Sequence, residues 1–447
     1  MEKLTNLAGI KKVHIIGIGG ISTSGIAKML LSHGIKVSGS DRVSSALTEE
    51  LKTLGVKVYI GHKWKKVEKD ADLVIYSLAI KDSNPELVMA KKLNIQTIKR
   101  GEALGLISRE YKHTIAIAGM HGKTTTTAII YKIFKDAGLD PTLHIGGEID
   151  NEHKNIVLGS KDYFITEACE YGDSFLSLTP EVSIINNVER EHLDYFGNLK
   201  NIYKSFNRFM LGSKVCFVDG KQKGKLVTLD DMYFDKGYLN AKNIRKEQEG
   251  FSFDVFEGED FWGRVRLNVP GRYNIHNSLG AIMVAKYYGI SKQSIIKSLC
   301  EFRSVKRRFE SVGEAFGHKV IFDYAHHPTE IKNAIKTAKE LNMGKVFVYF
   351  QPHTYSRTKS LKDLFKKCFN GADSVFICST FKAREKFDPE ADEKALSELV
   401  ESVRHESVKS GDINAVIRDA RNKSERGVLL FVGAGDMQGK VKVAFGF

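Results

Sequence analysis

A chain of 447 residues, 42% of them hydrophobic and 27% charged, exceeds the roughly 250–300 residues at which one core stops growing and lacks the apolar-poor composition of disorder. Its five cysteines stand singly at 169, 216, 300, 368 and 378, and an odd total without a CxxC pair excludes a disulfide framework and a cysteine zinc site. The formal charge of +14 admits nucleic acid or small phosphorylated partners, because the lysines are dispersed and the densest clusters are short (Lys63-Trp64-Lys65-Lys66 and Lys306-Arg307-Arg308).

Residues 1–10 lack the basic run and apolar stretch of a secretory leader. No segment approaches the ~20 apolar residues that span a bilayer, so a cytoplasmic protein without membrane insertion is expected. Residues 13–16 predict a strand, 24–33 a helix, and 35–40 and 73–76 further strands, the βαβ rhythm of a parallel sheet. This unit closes near Arg100-Gly101-Glu102. A second begins with a strand at 114–118, a glycine turn and a helix over 123–137, followed by strands at 163–166 and 182–187. Between 213 and 269 short runs punctuated by glycine predict an antiparallel insertion. A helix over 274–288 resumes the α/β pattern, and strands at 319–322, 345–350, 374–378 and 428–432 make a third series. Three α/β domains follow, with boundaries at 1–110, 111–310 and 311–447.

The strongest chemical signal is Gly119-Met120-His121-Gly122-Lys123-Thr124-Thr125-Thr126-Thr127 between a strand and a helix. Glycines turn backbone N–H groups toward phosphate oxygens, and the helix start adds its positive end. The lysine reaches terminal phosphates, and a threonine hydroxyl can ligate magnesium. The spacing is shorter than GxxxxGK[ST], because Ile117 stands where that pattern has its first glycine. Glu167 and Glu170 after the strand at 163–166, and His192 after that at 182–187, would converge on the same sheet edge. A threonine hydroxyl, one carboxylate and phosphate oxygens suit magnesium, with imidazole a less usual member. The other reading of the carboxylates and histidine is as surface residues.

A second glycine run, residues 17–25 (GIGGISTSG), also joins a strand to a helix and offers backbone amides to a diphosphate. Asp41, about 20 residues on, could meet a ribose, so a nicotinamide dinucleotide competes for this domain. The second, stronger phosphate loop argues against a dehydrogenase.

These motifs, together with residues 77–86 (SLAIKDSNPE), 167–175 (EACEYGDSF), 187–196 (NVEREHLDYF), 274–281 (NIHNSLGA), 307–310 (RRFE), 323–330 (DYAHHPTE), 351–358 (QPHTYSRT) and 433–436 (GAGD), resemble the ATP-dependent Mur ligases over essentially the whole chain. The resemblance implies a Rossmann-like N-terminal domain for a UDP-sugar, a central P-loop ATPase-type α/β domain and a C-terminal Rossmann-like domain. It implies ATP and Mg2+ as cofactors. The expected activity joins L-alanine to the lactyl carboxylate of UDP-N-acetylmuramate through an acyl phosphate, with a tripeptide-joining recycling ligase as the alternative. No nucleic acid partner is expected, and the chain would work as a monomer or homodimer.

By that resemblance Gly119, Met120, His121, Gly122, Lys123, Thr124 and Thr125 hold the ATP phosphates. Asn274 and Asn277 read the adenine region, and Arg308 and Asp323 complete the nucleotide site. Thr124 and Glu170 ligate magnesium, and His192 serves a second ion. Gly17, Gly19, Gly20, Ser24, Gly25, Asp41, Ser77 and Tyr324 are assigned to the UDP-sugar. Lys123, His326, His353 and Arg357 are assigned to catalysis, the two histidines orienting or deprotonating the incoming ammonium. Met120, Ala325 and Thr354 depart from the residues usual in the family, threonine, glycine and arginine.

Overall fold

The computed structural model describes residues 4–149, 155–404 and 408–447; residues 1–3 of the amino-terminal stretch lie outside them. Three sheets follow one another along the chain. The first holds β1 (Lys12–Ile16), β2 (Lys36–Asp41), β3 (Lys57–Ile60), β4 (Leu73–Tyr76) and β5 (Gln96–Lys99), ordered β3-β2-β1-β4-β5 and parallel throughout. The β1 side chains are buried on both faces (Val13, His14, Ile15, Ile16), as an internal parallel strand requires.

The central sheet comprises β6 (His113–Ala118), β7 (Thr142–His144), β8 (Ile156–Val157), β9 (Tyr163–Glu167), β10 (Val182–Ile185), β11 (Val215–Asp219), β12 (Tyr233–Phe234), β13 (Leu239–Lys246), β14 (Phe251–Glu257) and β15 (Asp260–Leu267). Strand β6 lies between β9 and β10, both parallel to it. The chain after each of these three strands therefore leaves at one edge, where such sheets bind ligands. The expected antiparallel insertion over 213–269 holds only for its second half, where β13–β15 form an antiparallel meander; β11 and β12 run parallel to their neighbours, and β13 pairs in parallel with β12. The helix Leu199–Leu211 supplies the crossover into β11, and Asp235 and Lys236, at φ 48 and 64, turn the chain between β12 and β13.

The third sheet, β16 (Glu310–Ala315), β17 (His318–Asp323), β18 (Lys345–Phe350), β19 (Ser374–Cys378), β20 (Lys409–Gly411) and β21 (Gly427–Val432), is ordered β16-β17-β21-β18-β19-β20. Only β16 is antiparallel. Apolar side chains of β17, β18 and β21 fill the cores on both faces. Among the described residues no helix is long and apolar enough to cross a membrane.

The first helix spans Ile21–Ser32, one turn earlier than its expected start at Ser24. The Ser24 N–H bonds the Gly20 carbonyl at 2.8 Å, so Ser24 and Gly25 belong to the helix and not to the glycine turn. Both are buried, Ser24 beside Asn155 of the central domain.

Candidate active site

The loop after β6 is shaped by two glycines. Gly122 caps the helix Lys123–Asp136 at φ 81, in the left-handed region that a side chain strains. A Cβ there would also stand 2.5 Å from Asn277 Oδ1. Asn187 reinforces the loop by accepting from the His121 N–H at 2.8 Å and donating to the His121 carbonyl at 2.9 Å. Met120, left unexplained by the sequence, turns its side chain into the core with Ala168 and Val188. Only its backbone faces the loop, and its carbonyl accepts from Lys123 Nζ at 3.3 Å.

Lys123 Nζ also donates to the Gly119 carbonyl and, at 3.0 Å, to Glu170 Oε2. His192 Nε2 lies 3.4 Å from the other Glu170 oxygen. Burial pushes the Glu170 carboxyl up, but Lys123 and His192 outweigh it and hold it at about 2. Glu170 is thus a buried carboxylate that stays ionised beside the glycine–lysine loop. Glu167, the other carboxylate of that segment, accepts from the Gly146 N–H at 2.8 Å and holds backbone instead. Thr124 Oγ1 accepts from Arg308 Nη2 at 3.2 Å, so the linker into the third sheet touches the phosphate loop directly.

A cavity of about 950 Å³ opens between the central and C-terminal sheets, with His121, Gly122, Thr125, Asn274, Asn277 and Arg308 in its wall. Asn277 Nδ2 donates to Asn274 Oδ1 at 2.9 Å, and Asn274 Nδ2 to the Pro270 carbonyl at 2.7 Å. Asp323 also borders the cavity but spends its oxygens on the Phe309 and Ala325 N–H groups, at 2.9 and 2.6 Å. Burial raises its carboxyl to about 6 against the pull of Arg308. The contact with Ala325 uses only backbone, so alanine serves there.

The third group lies on C-terminal loops. Arg357 Nη1 donates to His353 Nδ1 at 3.0 Å, and its Nε to Glu191 Oε1 at 3.0 Å. His326 faces His353 with ring centroids 6.1 Å apart, and its Nδ1 meets the Tyr324 carbonyl at 3.0 Å. Burial lowers both histidines to about 4, so both are neutral at pH 7. Thr354 holds φ 67, unusual for a β-branched residue, and fixes the start of the helix carrying Arg357. Tyr324, assigned to the UDP-sugar, packs against the Arg307 and Arg308 guanidinium groups and His326. In the N-terminal sheet, Gly17 turns at φ 81 with Ser77 beside it, and Asp41 Oδ2 accepts from the Gly19 N–H at 2.9 Å. The Asp41 carboxylate therefore braces the glycine turn itself.

The loop after β10 joins these groups and contains the residues the sequence reading passed over. Glu189 accepts from Thr329 Oγ1 at 2.8 Å and lies 3.5 Å from His121 Nε2. Glu191 holds Arg357, and His192 meets Glu170. From the C-terminal side, Glu330 caps its own helix through the His327 N–H at 3.3 Å and meets His121 Nδ1 at 3.1 Å. Burial pushes the His121 imidazole down, but Glu330 and Glu189 overcome this and raise it to about 9. His121, Glu189 and His327 form a compact donor group, as do Asp219, Asp235 and His276 at the cavity wall. The charges of EREH were visible, but a run of charges in a loop reads as a solvated face until its partners are known.

A parallel α/β sheet with a glycine-lysine-threonine loop, a buried carboxylate at its edge and a second α/β sheet closing over it is the layout of a nucleotide-dependent enzyme. Family models for the catalytic domain of the Mur ligase family, the Mur ligase middle domain and the Mur ligase glutamate ligase domain match residues 12–112, 117–285 and 307–435. The chain belongs to the Mur ligase family. It is 41% identical to a UDP-N-acetylmuramate–L-alanine ligase of Clostridium acetobutylicum over 442 residues, 96% of each chain. It is 40% identical to one of Acetivibrio thermocellus, over 98% of this chain and 96% of the other. Among solved structures, a UDP-N-acetylmuramate-alanine ligase from Thermotoga maritima superposes with a TM-score of 0.82 at 28% identity, covering 97% of both chains. A murein peptide ligase from Psychrobacter arcticus shares the fold, with a TM-score of 0.71, 21% identity, and coverage of 98% and 99%.

Proposed function

We propose that this chain joins L-alanine to the lactyl carboxylate of UDP-N-acetylmuramate at the expense of ATP, yielding UDP-N-acetylmuramoyl-L-alanine, ADP and phosphate in the cytoplasm. The observation that carries this reading is the meeting, through the Glu189–Glu191–His192 loop, of a phosphate loop with an arginine–histidine group suited to an amino acid. The units 1–110, 111–310 and 311–447 would hold the UDP-sugar, hold ATP, and close over the site with the amino acid.

A carboxylate resists attack by an amine. Its oxygen therefore takes the terminal phosphoryl group of ATP, releasing ADP, and the alanine nitrogen then attacks the acyl carbon and expels phosphate. Phosphoryl transfer asks for positioning and charge neutralisation. Lys123, the helix start behind it and Arg308 supply both, while Asn274, Asn277 and the Asp323-braced turn line the nucleotide cavity. Magnesium fits the oxygen donors present, Thr124 Oγ1 and the ionised Glu170, with His192 alongside; when bound it would neutralise phosphate charge. Arg357 would take the alanine carboxylate. His326, its Nδ1 turned to the Tyr324 carbonyl, leaves Nε2 to accept from the ammonium.

Phosphate release by purified protein with ATP, UDP-N-acetylmuramate and a panel of amino acids tests the reading, which requires turnover with L-alanine. The second reading, tripeptide recycling, finds its support in the murein peptide ligase fold, but the alanine ligase superposes more closely and at higher identity. Turnover with the tripeptide and none with alanine would reverse that preference.

A further inference from the structure

Between the glycine run of the N-terminal sheet and the magnesium side of the central sheet runs a hydrogen-bond chain through His144. Arg100 Nη1 donates to Ser22 Oγ at 2.9 Å. A guanidinium only donates, so the Ser22 hydroxyl proton is free to go to His144 Nε2, 3.1 Å away. That nitrogen then carries the lone pair, and Nδ1–H donates to Thr166 Oγ1 at 3.0 Å. The Thr166 hydroxyl in turn donates to the Glu167 carbonyl at 3.2 Å.

We propose that His144 is a positioning residue which, locked as the neutral Nδ1–H tautomer, ties the glycine run to β9 and so sets the UDP-sugar half of the site against the magnesium half. Two independent features support the strut. A Cβ on Gly25 would come 3.1 Å from His144 Cδ2, so glycine in the first helix leaves the room the imidazole takes. Asn155 of the central domain straps the same helical turn, donating to the Ile21 carbonyl and, at 3.4 Å, to Ser24 Oγ. At one end Thr23 Oγ1 binds the Gly17 carbonyl at 2.6 Å, linking this turn to the glycine loop. At the other end Thr166 adjoins Glu167, three residues before Glu170. Burial, with the Arg100 charge adding to it, lowers the imidazole to about 3, in keeping with a permanently neutral ring.

The inference rests on residues 17–25 holding the UDP-sugar, and the test separates the two. His144→Phe keeps a ring of similar size without the chain, and its KM for UDP-N-acetylmuramate should rise about five- to tenfold, the worth of one hydrogen bond, with the KM for ATP unchanged. Ser22→Ala should do the same, and the double variant no more than either single one. His144→Gln, whose side-chain oxygen reaches toward the Nε2 position, should recover most of the loss. Long-range 15N–1H spectra of histidine-labelled protein, assigned with these variants, should show His144 as the Nδ1–H tautomer. An Nε2–H tautomer, or an unchanged KM for the UDP-sugar in both His144→Phe and Ser22→Ala, would overturn the proposal. If UDP instead fails to shift the Gly19 and Gly20 amides of 15N-glycine-labelled protein, the assignment of the glycine run fails first and the proposal with it.

Discussion

On the proposed reading, Lys123 is the residue on which nucleotide use turns. Its ammonium is already within reach of Glu170 and the loop carbonyls, so removing it takes away the positive charge at the loop proposed to hold the phosphates. Lys123→Ala should lower kcat for phosphate release by at least about a hundredfold while the melting curve stays cooperative; turnover within a few-fold of wild type would reject the assignment. His121 makes a pH-dependent prediction. Its pKa, raised to about 9 by Glu330 and Glu189, lies above the ordinary value, so the stability it gives is full below pH 6.5 and vanishes as pH climbs through 9. The loss of stability in His121→Asn, on the order of 2–3 kcal/mol at pH 6.5, should shrink toward zero by pH 9.5 in denaturant titrations. A gap constant across that range would mean that His121 is not charged in the folded protein. His326, held near 4 by burial, is too weak a base to set a limb near neutrality. His326→Asn should raise the KM for alanine about tenfold and leave the pH–rate profile between 6 and 8 in place, whereas a shifted limb would make it the proton acceptor.

Elements carry most of what the sequence could say. The parallel strands bearing the three loops were legible because β1, β6, β10, β18 and β21 are mostly apolar, β-branched or aromatic runs flanked by glycine or polar turns. Short edge strands such as β3, β5 and β20 were not, since half-exposed segments like Lys57–Ile60 have no apolar run to betray them. The antiparallel reading of 213–269 held for β13–β15 but missed the parallel β11 and β12, because glycine spacing marks turns without recording the direction of the next strand. In the site, Lys123, Thr124, Glu170 and His192 could be named because each follows a strand end. Glu189, Glu191 and Glu330 could not, because their partners lie in segments distant in sequence. The helix Arg100–Ser108 shows the same limit: a Cβ on Gly105 would stand 2.2 Å from the Ser177 carbonyl, a close approach that no local pattern announces. Gly105→Ala should therefore cost about 1–3 kcal/mol, read as a lower melting temperature; an unchanged one would mean that the packing of this helix on Tyr171–Ser177 is looser than described.

At the scale of the molecule, Arg308–Thr124 and His121–Glu330 draw the central and C-terminal sheets together around the cavity, where further closure on substrate would shield the proposed acyl phosphate from water. The account's central claim is that the phosphate loop activates the lactyl carboxylate within this enclosure. It is tested most directly by giving the enzyme ATP, L-alanine and UDP-N-acetylmuramate labelled with 18O in that carboxylate, and weighing the phosphate released. Transfer of one labelled oxygen into each phosphate is the predicted result; unlabelled phosphate formed along with the alanine amide would contradict it.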